Sequence, residues 1–278
     1  MDINIVASCS SERNNEYIFS LLKNRDKTKN HIIIAPDRSL FSLEKRLFEE
    51  LEESCFFDIN IISLSRLSKQ VIKNTNKKNI LTKQSGVALI KKLLNDNKDK
   101  LNVFSKAVDY MGFANSLFEM ICLYKSCGVS VSDVYIDNSN TFANLKQKDI
   151  KLIYGEYEKY LQNDYTDSFN QLMLFADLIN KDTYKDTIFY FVEFDDFTHL
   201  MYNIILKLSK YSDGIYVCCT YGKESLNSNI YSNKVYYDLI DLYKSDSLQY
   251  KINRLSDFDD IYKSCLSKNL LAYSSKDF

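Results

Sequence analysis

The sequence holds one proline and six glycines among its 278 residues. Few tight loops can be built from so little of either, and the balance favours helices. Only two histidines are present, His31 and His199. No Ser/His/Asp or Cys/His catalytic arrangement is arguable from so few, and no pair of acids has the spacing context of a nuclease. The seven cysteines, Cys9, Cys55, Cys122, Cys127, Cys218, Cys219 and Cys265, form no C-x-x-C pair. They read as reduced thiols of a cytoplasmic protein, and a zinc or iron–sulfur site within this chain is not expected. No apolar run is long enough to span a bilayer, so no membrane partner is expected. The first residues, Met1-Asp2-Ile3-Asn4, lack the basic start and apolar core of a signal peptide.

What is present is an alternation of strand and helix patterns. Ile3-Asn4-Ile5-Val6, Ile32-Ile33-Ile34-Ala35 and Ile59-Asn60-Ile61-Ile62 are short, β-branched runs with helical patterns between them. Leu40, Leu43, Leu47, Phe48 and Leu51 fall on one face of a helix. Strand–helix–strand–helix–strand implies a parallel sheet with right-handed crossovers. From about residue 64 to 181 the strand signal fades. There Leu117, Met120, Ile121 and Tyr124 share one helical face, as do Ile150, Ile153, Tyr154, Tyr157 and Leu161. Strand signals return at Thr187–Val192 and Gly214–Cys219, and more weakly at Gln249–Leu255. The reading is an α/β core over residues 1–65 and 182–278, interrupted by an all-helical insertion over residues 66–181.

Residues 7–14 read ASCSSERN, between the first strand and the first helix. That is the place and length of a phosphate loop, G-x-x-x-x-G-K-[ST], without its glycines. Arg13 stands where lysine would stand and Asn14 where the magnesium-binding hydroxyl would be. Side chains at Ala7, Ser10 and Glu12 would obstruct a backbone cradle, and the Glu12 carboxylate would repel phosphate. On these residues alone, an ordinary turn and a degraded loop both remain open.

Three further features carry candidate chemistry. Glu193, Asp195 and Asp196 follow an apolar strand, which is the form of a magnesium-holding acidic strand end and equally that of solvated acids. Residues 66–100 hold ten lysines and arginines against two aspartates, in a chain of net charge −1. Arg66, Lys69, Lys73, Lys77, Lys78, Lys91 and Lys92 from this stretch suit contact with a phosphate backbone, or merely line a solvated helix face. The 21 tyrosines and 17 phenylalanines mostly sit at core spacing, so packing explains them better than base stacking.

Several segments together resemble the B subunit of AddAB-type helicase–nucleases. They are Ile34-Ala-Pro-Asp-Arg-Ser-Leu-Phe-Ser-Leu-Glu44, Ile61-Ile-Ser-Leu-Ser-Arg-Leu67, Leu81-Thr-Lys-Gln-Ser-Gly86, Phe104 with Gly112-Phe113, Ile121–Val129, Asp149-Ile150 with Ile153-Tyr154 and Tyr157, Tyr165-Thr-Asp167, and Phe194-Asp-Asp-Phe-Thr198. Their order and spacing run from residue 1 to about residue 220. The resemblance implies a RecA-like parallel sheet of the superfamily 1 helicase 1A type with a helical 1B-like insertion. It also makes ASCSSERN a decayed phosphate loop, with Ser10, Ser11, Arg13 and Asn14 at altered positions. The family carries Asp-Gly where this chain has Val192-Glu193, so the second half of the nucleotide site is altered too. ATP with magnesium and an iron–sulfur cluster belong to the intact family complex, and none is expected in this chain.

What the resemblance implies is a non-motor helicase-like domain, inactive alone, from a piece or a truncated form of a longer protein. Its role in double-strand break repair would be to contact unwound single-stranded DNA at broken duplex ends and to dock on the motor-bearing A subunit. Arg38 joins the basic residues above as a DNA candidate. The alternatives are a protein-docking module with no direct DNA contact, and an atypical ATP-binding domain using Arg13 and Glu193.

Overall fold

A computed structural model describes residues 2–53, 55–73, 79–137, 141–162, 165–180, 183–221 and 233–255. In chain order the elements begin β1 (Asp2–Ser8), α1 (Ser11–Lys23), β2 (Asn30–Ile34), α2 (Leu40–Leu51), β3 (Ile59–Ile62) and α3 (Leu64–Lys73). There follow β4 (Asn79–Ile80), α4 (Lys83–Asp96), α5 (Met111–Ser126), α6 (Phe142–Gln162), β5 (Tyr165–Thr166) and α7 (Ser168–Leu178). The series closes with β6 (Thr187–Phe191), α8 (His199–Tyr211), β7 (Gly214–Thr220), α9 (Lys234–Ser245) and β8 (Lys251–Arg254). The chain forms two compact units. One comprises Met1–Leu67, Leu178–Phe197 and Met201–Phe278; the other comprises Ser68–Asp177 with Thr198–Leu200.

The first unit is a six-stranded sheet of order β3-β2-β6-β7-β1-β8, parallel throughout. Consecutive residues of β1 are buried from Ile3 to Ser8. Burial without alternation means that both faces of the sheet are covered, which is why these strands read as unbroken apolar runs. The architecture is the RecA-like α/β fold. β1 lies between β7 and β8 rather than beside β2, so the chain crosses over two strand positions after its first helix. Ligands of such sheets collect at the carboxyl ends of the strands near a crossover of this kind. The weak strand expected at Gln249–Leu255 is realised as β8, a largely exposed edge strand.

The second unit is built on α4, α5 and α6, around Ile90, Leu94, Val108, Ala114, Ile121, Ile153 and Tyr157. The expected face of α6 is buried in full. The expected face of α5 is not: Met120 is 39% exposed, and the buried stripe is Ala114, Leu117, Phe118, Ile121 and Lys125. The period is right and the phase is off by about one residue. Phe118 packs onto Gly86 of α4 and sets that phase. The insertion is also not wholly helical. β4 and β5 form a two-residue parallel ladder, Asn79 with Tyr165 and Ile80 with Thr166, and 3-10 turns occur at Lys98–Lys100 and Phe104–Lys106.

Candidate functional site

A phosphate loop spends most of its length on backbone whose N–H groups turn inward. Here only Cys9 and Ser10 separate β1 from α1. Ser10 caps the helix, its hydroxyl accepting from the Arg13 N–H over 3.3 Å. The Ser8 hydroxyl donates to the Ser10 carbonyl over 2.6 Å and accepts from the Ser10 N–H over 3.3 Å. The loop therefore spends its polar groups on itself. Glu12, in the first turn, supplies the negative charge that the helix dipole favours at this end. Ser11 and Glu12 are exposed, and Arg13 is partly buried.

The next turn points inward. Asn14 is 2% exposed and Asn15 is 1% exposed. The Asn14 side-chain amide donates to the Cys219 carbonyl at the end of β7 over 3.0 Å. The Asn15 side-chain amide donates to the Glu193 carboxylate over 2.7 Å. Each NH2 group faces an acceptor, which fixes both amide orientations. The two amide oxygens are buried with no protein donor.

Glu193 lies just beyond β6, with φ +61°. That left-handed backbone suits glycine, the residue that the resemblance noted above implies at this step. Val192 is buried, and its N–H donates to the Ile34 carbonyl over 3.0 Å. The acids of this segment diverge. Glu193 goes to Asn15, Asp195 binds Arg38 at 2.6 Å, and Asp196 binds Lys234 at 2.8 Å. Among the described residues, no three His, Cys, Asp or Glu side chains gather as metal ligands.

ATP with magnesium does not fit this arrangement. The cradle position offers a half-buried carboxylate and two buried acceptor oxygens where phosphate needs donors, and the hydroxyl position is an amide committed to Cys219.

The basic candidates fall into separate groups. Arg38 follows β2 and Arg66 opens α3 just after β3, so both stand at the carboxyl edge of the sheet. Arg38 pairs with Asp195 at 2.6 Å and Arg66 with Asp37 at 3.1 Å, all four side chains being at least 56% exposed. Phe41, one turn beyond Arg38, is 80% exposed. In the second unit Lys69 and Lys92 are exposed, and the half-buried Lys91 ammonium donates to the Val108 carbonyl. Lys73 ends α3, while Lys77 and Lys78 lie outside the described residues.

Asn15 was not among the sequence candidates. Its signal was two consecutive asparagines on the buried stripe of α1, beside Ile18, Phe19 and Leu22. Lys125 was missed in the same way. It lies in the core of the second unit between Glu158 and Asp167, and Tyr157 donates to Asp167 over 3.1 Å. A cavity of about 310 Å³ adjoins this cluster, lined in part by Lys125, Glu158 and Asn170. Its charged groups already satisfy one another.

Comparison with known proteins identifies relatives of the chain. The chain is 27% identical over 269 residues to the B subunit of the ATP-dependent helicase/deoxyribonuclease of Listeria welshimeri, covering 92% of this chain and 23% of that protein. The proteins of the same name from Clostridium botulinum and Clostridioides difficile are each 27% identical, over 235 and 232 residues. The chain thus spans about a fifth of the length of the curated relatives it matches, 20% for these two. The sequence family described as "ADDB, N-terminal" matches residues 10–263, and the chain belongs to that family.

Proposed function

We propose that this chain is a non-motor helicase-like domain of a helicase–nuclease B subunit, which contacts unwound single-stranded DNA and docks on the motor-bearing subunit during double-strand break repair. The relatives are named as one subunit of a helicase/deoxyribonuclease, which supports membership of a complex with a partner subunit. The DNA contact rests on one observation: two arginines on the carboxyl edge of the sheet, each paired with an exposed aspartate, with an exposed phenylalanine one turn beyond Arg38. An exposed ion pair contributes about 0–1 kcal/mol, so a phosphate can displace the aspartate at little cost. Phe41 offers a face on which an unstacked base can lie.

The test is binding of a fluorescent single-stranded oligonucleotide across a salt series. Two variants are compared with the wild type: Arg38→Glu with Arg66→Glu, and Lys69→Glu with Lys91→Glu and Lys92→Glu. The proposal expects salt-sensitive binding that the arginine variant loses. No binding at low salt would leave the protein-docking reading, and binding that the arginine variant keeps would overturn the contact through Arg38 and Arg66. The docking reading draws its support from Lys91, whose half-buried ammonium donates to the Val108 carbonyl within the second unit.

A further inference from the structure

We infer that the first turn of α1 is a permanent clasp standing where a nucleotide switch would be. The inference rests on the non-motor reading above and gives it a physical basis. In a nucleotide-switched domain, phosphate and magnesium bridge the loop after the first strand to the acidic end of another, and their arrival and loss move those segments. Here the protein makes the bridge itself. Asn15 joins α1 to the end of β6 through Glu193, and Asn14 joins α1 to the end of β7 through the Cys219 carbonyl. β6, β7 and β1 are neighbours in the sheet, so the clasp closes the three strand ends that a nucleotide would otherwise report on.

Three features make the clasp permanent rather than a resting state awaiting ATP. Both asparagines are almost wholly buried, and the Asn14–Cys219 bond is buried with them, while the Asn15 bond reaches a half-buried carboxylate. A phosphate placed here would meet the Glu193 carboxylate and the two unpartnered amide oxygens, all of them acceptors. Glu193 also holds a left-handed backbone that glutamate adopts reluctantly, and its bond to Asn15 compensates that conformation. The connector of two residues leaves no slack from which a cradle could form.

The experiment uses the whole chain. Thermal melting is followed with and without millimolar magnesium-ATP, and a fluorescent ATP analogue is titrated in parallel. The clasp predicts no saturable binding and an unchanged melting midpoint for the wild type. It predicts a fall of a few degrees for Asn15→Ala, and a smaller fall for Glu193→Gln, which keeps an acceptor oxygen. A rise in midpoint with magnesium-ATP, or saturable binding abolished by Arg13→Ala, overturns the inference, as does an Asn15→Ala protein that melts like the wild type. If Asn15→Ala does not fold, the ligand titrations on the wild type and on Glu193→Gln still decide. Oligonucleotide binding is measured on the same samples. Its loss with ATP binding absent sinks the DNA-contact reading and spares the clasp; the reverse result does the opposite.

Discussion

The Lys125 ammonium lies 2.6 Å from the Asp167 carboxylate, inside the core of the second unit, with the lysine side chain 3% exposed and the aspartate 7%. Glu158 takes a second contact from the same ammonium, and the Asn170 N–H donates to Asp167 over 2.8 Å. The cluster is a closed polar knot between α5, α6 and the start of α7. Burial, reinforced by the Asp167 charge, pushes the Tyr157 hydroxyl up, and burial raises the Cys122 thiol to about 11. Both stay protonated at neutral pH; Tyr157 donates to Asp167, and Cys122 packs against the core. Lys125→Met leaves two carboxylates uncompensated, and we expect it to lower stability by about 3–5 kcal/mol. Urea unfolding measures the loss. Adding Asp167→Asn to Lys125→Met should recover part of it. A single variant with the wild-type midpoint would mean the pair is open in solution.

This knot marks the limit of what the sequence makes legible. The strands are readable because buried parallel strands are continuous apolar runs, and α6 because its stripe repeats cleanly. Asp149, Tyr157 and Asp167 stand out in the sequence only through the resemblance noted above, and spacing alone does not say what they do. Asp149 is fully buried and accepts from the N–H groups of Asn102, Val103 and Phe104, far back in the chain. Pairings of that span leave no periodicity behind. The opening loop behaves likewise. Its missing glycines are visible in the sequence, but the Asn15–Glu193 bond that replaces their function joins residues 178 apart.

Gly86 gives a second prediction. An added Cβ there would lie 2.3 Å from the Phe118 ring. Alanine is worth up to about 1 kcal/mol over glycine in a helix interior. Overpacking a filled core costs about 1–3 kcal/mol, and the contact is far shorter than van der Waals distance, so packing wins. Gly86→Ala should destabilise the chain in urea, and Phe118→Leu in the same protein should relieve much of the damage. A stabilised Gly86→Ala protein would show that α4 and α5 sit farther apart than this contact requires.

The third prediction concerns acid. His31 is 2% exposed on β2, with Nδ1 3.0 Å from the Tyr190 hydroxyl and Nε2 3.1 Å from the Asp26 carbonyl. Burial pushes its ring below the ordinary value of 6.5; Arg25 adds to this, while the Asp26 carbonyl and the charges of Asp58 and Asp26 oppose it. Above the ordinary value, the ring is neutral in both folded and unfolded chains and contributes no pH dependence. As pH falls below 6.5, the unfolded chain takes up a proton that the folded chain refuses, so stability is lost down to the folded value and no further. Asp58 also loses stabilisation in acid, because the Arg25 hydrogen bond holds its carboxyl down, but from its ordinary value of 3.8 downward. The two windows separate. Urea midpoints measured between about pH 8 and about pH 5 should fall for the wild type and fall less for His31→Gln, since the window of the His31 proton uptake lies there. A wild-type profile flat across that range would mean that water reaches the ring and that β2 is less closed at its start than the burial of His31 requires.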